Sequence, residues 1–414
     1  MSLLWLKRGW LTPGSQTLRT LERFGASDVW DFVDNSYLRA GVVTTNAGLT
    51  VTRASTGYAE TSDGRLVEFG SGVLRRTDKG VLVEGARTNL LLRSQEFDTF
   101  WIATAGAVTA NAIAAPDGTT TADTFVPNNT NTDHRIRQDQ SISLSTTLTF
   151  SIYAKAAGYG VVWITMDGGS SYYWFDLNAA TTGGPGGGSS TITAFPDGWY
   201  RLTYTKAIGA ANANFIWVSP TTSSLTFSGD GVSGVALWGA QVEAAPFASS
   251  YIATAASTVT RAADEVTASL TGVAYPVSLF AEFVRNGDTN AAEGVFQVDA
   301  SSRAQRANIS FSSSDTLSVT ARGGANDGDA TVTGAISVGA ITKGAGRIVV
   351  DDVQAARAGT LATADTTASV PTSAPDTVRF GDFGSTANYG FLYLRRAAVI
   401  STALTDAQLQ AITS

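Results

Sequence analysis

Short runs of β-branched and aromatic residues, separated by turns rich in glycine, serine and aspartate, recur along almost the whole chain. In the middle of the sequence these runs predict six strands, spaced about 10–20 residues apart: 147–154, 161–166, 172–177, 199–206, 214–219 and 235–243. Such spacing, with glycine- and proline-containing turns, is typical of an antiparallel β-sandwich.

The last third of the chain holds a second series of strand-like runs and ends in a different pattern. Runs such as SLFAEFV, GVFQVD and ANISFSS have the length and composition of strands. The final segment, 404–412, predicts a short C-terminal helix. Thr405 would be its N-cap, Gln408 would complete a capping box, and Leu404 and Leu409 would form a hydrophobic staple.

This patterning predicts a mainly β protein with tandem antiparallel β-sandwich domains, a short N-terminal anchor and a short C-terminal helix. The expected parts are an N-terminal attachment segment 1–30, a β-hairpin lead-in 31–84, a first sandwich 85–264 and a second sandwich 265–414. The pentapeptide TVTRA at 50–54 recurs at 258–262 and brackets the first sandwich, either as a boundary marker or by chance. The run TTGGPGGGSS at 181–190 is not expected to form a strand; we interpret it as a mobile connector or as a loop whose backbone approaches another group.

Composition excludes several classes of function. Charged residues make up 15% of the chain and the formal net charge is −7, which disfavours a nucleic-acid partner. The chain has no cysteine and a single histidine, His134, so disulfides, thiolate metal sites and sites with two imidazoles are excluded. His134 lies in the polar run NNTNTDHR and is interpreted as an exposed loop residue.

Neither a signal peptide nor a membrane span is expected from the apolar pattern of the chain. No stretch approaches the roughly 20 apolar residues that a membrane span needs, so membrane insertion is not expected. The first residues lack the uninterrupted apolar core of a signal peptide. Trp5 and Trp10 are interpreted as a docking element that is buried against another subunit or a host structure, since exposed tryptophans would otherwise be a liability.

The densest group of aromatic residues is the candidate binding site. Pyranose rings stack on aromatic faces while their hydroxyls need polar partners. Alternation predicts that Tyr172 and Trp174 face one side of a strand and Tyr173 the other, and Trp163 on another predicted strand would extend the surface. The polar contacts would come from Asp167, Asn178 and Arg201. The alternative is that these rings fill the sandwich core, to which we also assign Trp199 and Trp238.

An enzymatic function is not expected. Glycoside hydrolysis needs two carboxylates about 5–10 Å apart across the scissile bond. The chain contains Glu84, Asp176, Glu243 and Glu282, but no motif pairs them. We therefore expect no catalytic residues and no catalytic cofactor.

Several ordered blocks of the sequence resemble a known group of proteins. The blocks are EGARTNLLLRSQEF, APDGTTTAD, FSIYAKA, PDGWYRLTYT and LWGAQVEAAPFASSYI. With them, the region from about 85 to 255 resembles the carbohydrate-binding-like jelly rolls of phage tail and virion proteins. Through FLYLRRAAVISTALTDAQLQAI, the region from about 268 to 414 is similar to concanavalin- or laminin-G-like jelly rolls.

This resemblance implies a virion protein, located on the phage tail or head surface, that binds bacterial surface polysaccharide for host attachment. It would be a tail fibre, head fibre or spike whose N-terminus, with Trp5 and Trp10, contacts other virion proteins. A homo-oligomer is expected, and trimers are common in such fibres. The alternative is a purely structural virion component, such as a capsid decoration or baseplate protein, without glycan binding.

The resemblance also raises the question of a structural calcium ion. In related jelly rolls calcium often lies between the first and last strands, held by oxygen ligands. The corresponding residues here would be Glu96, Asp98, Gln241 and Glu243, and the glutamine departs from a strongly acidic site. The loop GGANDGDA, with Asp327 and Asp329, offers another oxygen-rich turn, although its residues are first of all typical of turns.

Overall fold

A computed structural model describes residues 16–139, 146–169, 171–209, 214–300, 303–384 and 388–414. Trp5 and Trp10 lie outside these ranges. The chain divides into two compact units. The inserted unit comprises 54–71 and 86–262, and the host unit comprises the described residues up to 53, 72–85 and 263–414.

The inserted unit contains two six-stranded sheets in which all strand pairs are antiparallel. Sheet I has the order Ile102–Thr104, Arg135–Gln138, Asn214–Ser219, Val161–Thr165, Tyr173–Asp176 and Thr181–Gly183. Sheet II has the order Gly106–Ile113, Ala122–Pro127, Gly234–Glu243, Thr146–Ala157, Trp199–Ile208 and Ser189–Ala194. Three two-stranded pairs complete the unit: Gly57–Glu60 with Leu66–Phe69, Arg87–Asn89 with Val259–Arg261, and Asn131–Asp133 with Thr226–Ser228.

Two hydrophobic layers hold the inserted unit together. In its core, Val162 and Ile164 of sheet I belong to the same cluster as Phe150 and Ile152 of sheet II. A second cluster includes Trp199 and Trp238 of sheet II together with Tyr58 and Leu66 of the two-stranded hairpin and Tyr251. The hairpin therefore packs on sheet II as part of this unit, and both tryptophans assigned to the core are buried.

The host unit is built from a ten-stranded and a seven-stranded antiparallel sheet. Sheet III has the order Val42–Thr44, Ser36–Arg39, Ala26–Asp31, Leu392–Ile400, Val277–Arg285, Ile341–Val349, Asp352–Arg357 and Thr360–Leu361; in addition, Gly80–Val83 pairs with Leu392–Ile400, and Arg76–Thr77 with Gly80–Val83. Sheet IV has the order Gly328–Val332, Leu317–Arg322, Arg306–Phe311, Glu293–Asp299, Thr377–Phe380, Glu265–Ser269 and Leu49–Thr52. The host unit also has a separate two-stranded sheet, in which Asp382–Phe383 pairs with Asn388–Tyr389.

Two short helices belong to the host unit. The helix Gln16–Arg23 ends before Gly25, which has a φ of 86°. The helix Asp406–Thr413 begins after Thr405, and the capping box of Thr405 and Gln408 is present. The two helices share a hydrophobic cluster with residues of sheet III. The predicted fold class and C-terminal helix are confirmed.

The connectivity is nested rather than strictly sequential. The segment 31–84, expected to form a separate lead-in, contributes Ser36–Arg39 and Gly80–Val83 to sheet III and the hairpin at 57–69 to the inserted unit. Strand Ala26–Asp31 pairs with Leu392–Ile400, so the two ends of the described chain meet in one sheet. Each copy of TVTRA ends within one residue of a boundary between the units.

A buried charge network ties together the three chain segments of the host unit. Arg75 Nη1 donates to Glu84 Oε2 at 2.8 Å, and Nη2 donates to Asp264. Arg53 Nη1 donates to Asp264 Oδ1 at 2.8 Å. Burial disfavours the charge on Arg75, but the two carboxylates outweigh it and raise the pKa of the guanidinium. All four side chains are buried, so each charge depends on its partners.

Candidate functional site

Three tryptophans lie side by side on the face of sheet I that points away from the core. Trp163 is paired across the sheet with Trp174 on one side and with Trp217 on the other. Arg135 is the cross-strand partner of Trp217, and Gly183 is the partner of Trp174. Because directly paired residues of antiparallel strands share a face, these five positions form one row across the sheet.

Tyr172 joins this row, and the four rings define the aromatic surface: Trp163, Tyr172, Trp174 and Trp217. The rings of Trp163 and Tyr172 meet edge to face, with centroids 5.2 Å apart. Trp163 and Trp217 are each 5% exposed, whereas Tyr172 and Trp174 are only half-buried. The first pair therefore supports the surface, and the second pair is accessible to a ligand.

The glycine-rich run at 181–190 leaves space for the indole ring of Trp174. A Cβ added to Gly183 would lie 2.7 Å from Cζ2 of the Trp174 indole, so the ring occupies the space where a side chain would be. Cβ atoms added to Gly184 and Gly186 would lie 2.8 and 2.7 Å from the carbonyl oxygen of Tyr172. The run was interpreted either as a mobile connector or as a loop whose backbone approaches another group, and these short distances agree with the second interpretation. The run is not one strand, but its two ends belong to strands, Thr181–Gly183 and Ser189–Ala194, with residues 184–188 between them outside both.

One edge of the aromatic surface carries charged groups. The Trp217 indole donates from Nε1 to Asp133 Oδ2 at 3.2 Å, and Arg135 pairs with the same carboxylate. Burial opposes ionisation of Asp133, but the hydrogen bond from Trp217 and the charge of Arg135 lower its pKa. This edge therefore presents a carboxylate that is ionised at neutral pH.

Asp167 holds the turn that leads into Tyr172. Its carboxylate accepts hydrogen bonds from Thr165 Oγ1 at 2.7 Å, from Ser171 N at 2.9 Å and from Lys206 Nζ at 2.9 Å. Burial alone would raise the pKa of Asp167, but the hydrogen bonds from Ser171, Thr165 and Lys206 lower it to about 2. Asp167 thus positions the turn next to Tyr172 and has little capacity left for a ligand.

Asp167→Asn is expected to change how the free energy of unfolding depends on pH. Because the folded-state pKa is about 2 and the ordinary value is 3.8, the ionised carboxylate stabilises the fold above pH 3.8. This contribution is lost as the pH falls from about 4 towards 2. The unfolding free energy of the wild type should exceed that of Asp167→Asn at pH 6, and the difference should shrink below pH 4. A difference that stays constant down to pH 2 would contradict this role.

The other predicted contact residues lie elsewhere. Tyr173 packs against the core, with its ring centroid 5.0 Å from that of Tyr204. Asn178 lies in the turn after Tyr173–Asp176 and is exposed. Arg201 is on sheet II, where Nη2 donates to the Ser249 carbonyl at 2.6 Å. The structure thus brings together Trp163, Tyr172 and Trp174, with Asp167 at the adjacent turn, but places Arg201 in the other sheet.

The residues named for calcium have other partners. Glu96 pairs with Arg93 at 2.5 Å, and Asp98 is exposed. Glu243 is buried and accepts hydrogen bonds from Gln241 Nε2 at 2.7 Å and from Ser249 N at 2.8 Å. Burial raises the pKa of Glu243, although these hydrogen bonds oppose it. Among the described residues, no group of three or more histidine, aspartate or glutamate side chains is arranged to hold a metal ion.

The carboxylates of Asp327 and Asp329 lie next to the guanidinium of Arg322. The Arg322 guanidinium donates from Nη2 to both carboxylate oxygens of Asp329, at 2.8 and 2.7 Å, and Nε lies 3.5 Å from Asp327 Oδ2. These acidic side chains therefore stabilise the turn between two strands of sheet IV.

His134 is buried, so its interpretation as an exposed loop residue was wrong. Its Nδ1 and Nε2 lie 2.5 and 3.0 Å from the carbonyl oxygens of Ala105 and Phe227. The imidazole bridges two segments that are distant in sequence, which the polar run around it did not indicate.

The carboxylates weighed for catalysis are dispersed. Glu84 pairs with Arg75, and Glu282 pairs with Arg395 and Arg396. Asp176 accepts a hydrogen bond from the backbone N of Asn178. Asp176 and Glu243 lie in sheets I and II of the inserted unit, and Glu84 and Glu282 belong to the host unit.

Sequence reasoning missed Trp217, Gly183 and Asp133 as parts of this surface. Trp217 lies in a correctly predicted strand, and alternation along FIWVS would have placed it on one face of that strand. Its neighbours could not be inferred, because the order and register of strands in sheet I join segments far apart in sequence.

The chain matches no protein-family profile and no characterised protein by sequence. Solved structures similar to part of it include carbohydrate-binding domains. The CBM40 domain of a Ruminococcus gnavus IT-sialidase, bound to α2,6-sialyllactose, is 14% identical with a TM-score of 0.29, over 34% of this chain and 85% of that chain. Domain 4 of AbnA, a GH43 arabinanase from Geobacillus stearothermophilus in complex with arabinotriose, is 13% identical with a TM-score of 0.31, over 41% and 82%.

A third similar structure is that of botulinum neurotoxin type C, whose cell entry depends on two ganglioside molecules. It is 10% identical with a TM-score of 0.30, over 36% of this chain and 39% of that chain. Within the described part of the chain, neither helix is long and apolar enough to cross a membrane.

Proposed function

We propose that this protein is a non-catalytic adhesin that binds a polysaccharide through the aromatic surface of its inserted unit. The row of three tryptophans with Tyr172 is the observation that carries this proposal. Aromatic side chains that remain accessible on a sheet offer flat faces to the C–H faces of sugar rings. Asp133 and Arg135 at the edge of the row supply groups that bind sugar hydroxyls.

The position of the row argues against the alternative that these tryptophans only fill the sandwich core. Tryptophans that only completed the sandwich core would lie between sheets I and II, where Val162 and Ile164 lie. Trp163 and Trp217 instead belong to a separate cluster on the opposite face of sheet I. The partial exposure of its half-buried members, Tyr172 and Trp174, supports their proposed contact with a ligand.

The more specific proposal is a fibre or spike of a phage virion that attaches to bacterial surface polysaccharide. The resemblance of the sequence blocks to virion jelly rolls supports it. The N-terminal segment with Trp5 and Trp10 would join other virion proteins, and several copies would form the fibre. Electron microscopy of particles labelled with an antibody against the chain tests this: label on the tail or head fibres supports it, and unlabelled particles contradict it.

Retention on immobilised bacterial capsular polysaccharides and lipopolysaccharides tests the binding site. We expect the wild-type chain to be retained by at least one of them, and Tyr172→Ala with Trp174→Ala to abolish retention, because both accessible rings are removed. Phe100→Ala is the matched control, since Phe100 is an exposed aromatic residue of the same unit outside the aromatic surface.

Three results would contradict parts of the proposal. Retention that survives the double substitution would exclude this surface as the binding site. A wild-type chain that no polysaccharide retains would favour a purely structural virion component. Release of new reducing ends from a retained polysaccharide would show that the protein is an enzyme.

A further inference from the structure

A cleft of about 530 Å³ lies within the host unit. It is formed by the end of strand Gly328–Val332, the turn that follows it, the start of Ile341–Val349, the turn after Asp352–Arg357 and the end of the C-terminal helix. Its volume lies within the range of about 300–1,000 Å³ that small-molecule sites usually have.

The lining of this cleft combines hydroxyl groups with apolar surface. Six of the lining residues carry hydroxyls: Thr333, Ser337, Thr342, Thr360, Thr413 and Ser414. Ile336 is buried at the cleft, and Ile341 is 58% exposed along it. Hydroxyls beside an apolar face match a sugar ring, which has both hydroxyls and C–H faces.

Two cations line the cleft, and they have different surroundings. Lys343 Nζ donates to the Ser414 carbonyl at the end of the C-terminal helix, where its charge offsets the negative end of the helix dipole. Arg357 Nη2 donates to the Thr333 carbonyl at 3.0 Å, and within the described part of the chain no carboxylate pairs with Arg357. Burial lowers the pKa of Arg357.

The Arg357 side chain is held in place by its surroundings. Arg357 pairs with Thr360 across a tight turn in which Ala358 and Gly359 both have positive φ, 49° and 71°. A Cβ added to Gly334 would lie 3.0 Å from Arg357 Nη2, so the backbone passes directly beside the guanidinium. None of the described residues lining the cleft has a side-chain carboxylate.

We propose that this cleft is a second saccharide site and binds an acidic sugar, whose carboxylate pairs with Arg357. The planar guanidinium matches a carboxylate, and the hydroxyls of Thr333, Ser337 and Thr360, which line the cleft, bind the hydroxyls of the ring. The site extends saccharide binding to the host unit and does not depend on the aromatic surface.

Calorimetric titration of the full chain with hexagalacturonate and with its neutral methyl ester tests this site. We expect the acid to bind and the ester to bind roughly 10- to 100-fold more weakly, because the charge-assisted hydrogen bonds to Arg357 are lost. Arg357→Gln should weaken binding of the acid by a similar factor. Arg357→Lys should restore part of it, since the charge returns without the planar pair of donors.

Arg322→Gln is the matched control, because this arginine of the same unit already pairs with Asp329, and it should leave binding unchanged. Tyr172→Ala with Trp174→Ala should also leave it unchanged, so that failure of this site and failure of the aromatic surface are distinguished. The proposal is overturned if the acid does not bind, if folded Arg357→Gln binds it like the wild type, or if the ester binds equally well. Inorganic phosphate that binds through Arg357 as tightly as the hexasaccharide would identify a general anion site and also overturn it.

Discussion

Arg75→Ala is expected to lower the unfolding free energy of the host unit by about 3–5 kcal/mol, which is the usual cost of removing one partner from a buried ion pair. The substitution leaves Glu84 and Asp264 buried without the guanidinium that both contact. The charges of Arg53 and Asp264 would still be paired, so the main destabilisation arises at Glu84. Differential scanning calorimetry of the whole chain measures the effect on the transition of the host unit.

Arg322→Ala provides the comparison. Its pair with Asp329 is partly exposed, so its removal should cost no more than about 1 kcal/mol. Adding Glu84→Gln to Arg75→Ala should recover part of the lost stability, because it removes a buried charge that has lost the Arg75 guanidinium. A loss below 1 kcal/mol for Arg75→Ala would mean that the buried network does not hold the three segments of the host unit together.

Gly183→Val is expected to weaken polysaccharide retention by about tenfold, or about 1.4 kcal/mol, while the inserted unit stays folded. The new side chain would enter the space that the Trp174 indole occupies, where even a Cβ lies only 2.7 Å from the ring. The indole must then rotate away from the row, and the accessible face of the aromatic surface changes without removal of any aromatic residue. Affinity measured on the polysaccharide that retains the wild type gives the effect.

Gly209→Val is the control for this substitution. Gly209 is also in the inserted unit, but an added Cβ there meets no atom of the described residues within 4 Å, so binding should be unchanged. If Gly183→Val binds like the wild type and Trp174→Ala does not, the orientation of the indole in the row is not what the polysaccharide recognises.

Local patterns carried most of the information about individual elements. All six strands predicted in the middle of the chain overlap observed strands, such as Val161–Thr165 and Gly234–Glu243. The capping box at Thr405 and Gln408 was recognisable because its residues are three positions apart and its two reciprocal hydrogen bonds are local.

Long-range pairing could not be inferred in this way. Alternation separated Tyr172 and Trp174 from Tyr173, since a strand has two faces and a period of two. It did not indicate that Trp217 and Trp163 would be neighbours, nor that Arg201 would lie in a different sheet, because hydrophobic periodicity does not specify which strand pairs with which. For the same reason His134 in a polar run was misjudged: the carbonyls it contacts come from distant segments.

The hairpin Gly57–Glu60 and Leu66–Phe69 has a practical consequence for work with fragments. It covers Trp238 and Tyr251, whose rings contact Tyr58, yet residues 72–85 of the other unit separate it from the rest of its own unit. A fragment cut as 86–262 would expose these aromatic rings to water and invite aggregation. A fragment that keeps these rings covered therefore has to include residues 54–71, either as the continuous stretch 54–262 or with residue 71 joined to residue 86 through a designed linker.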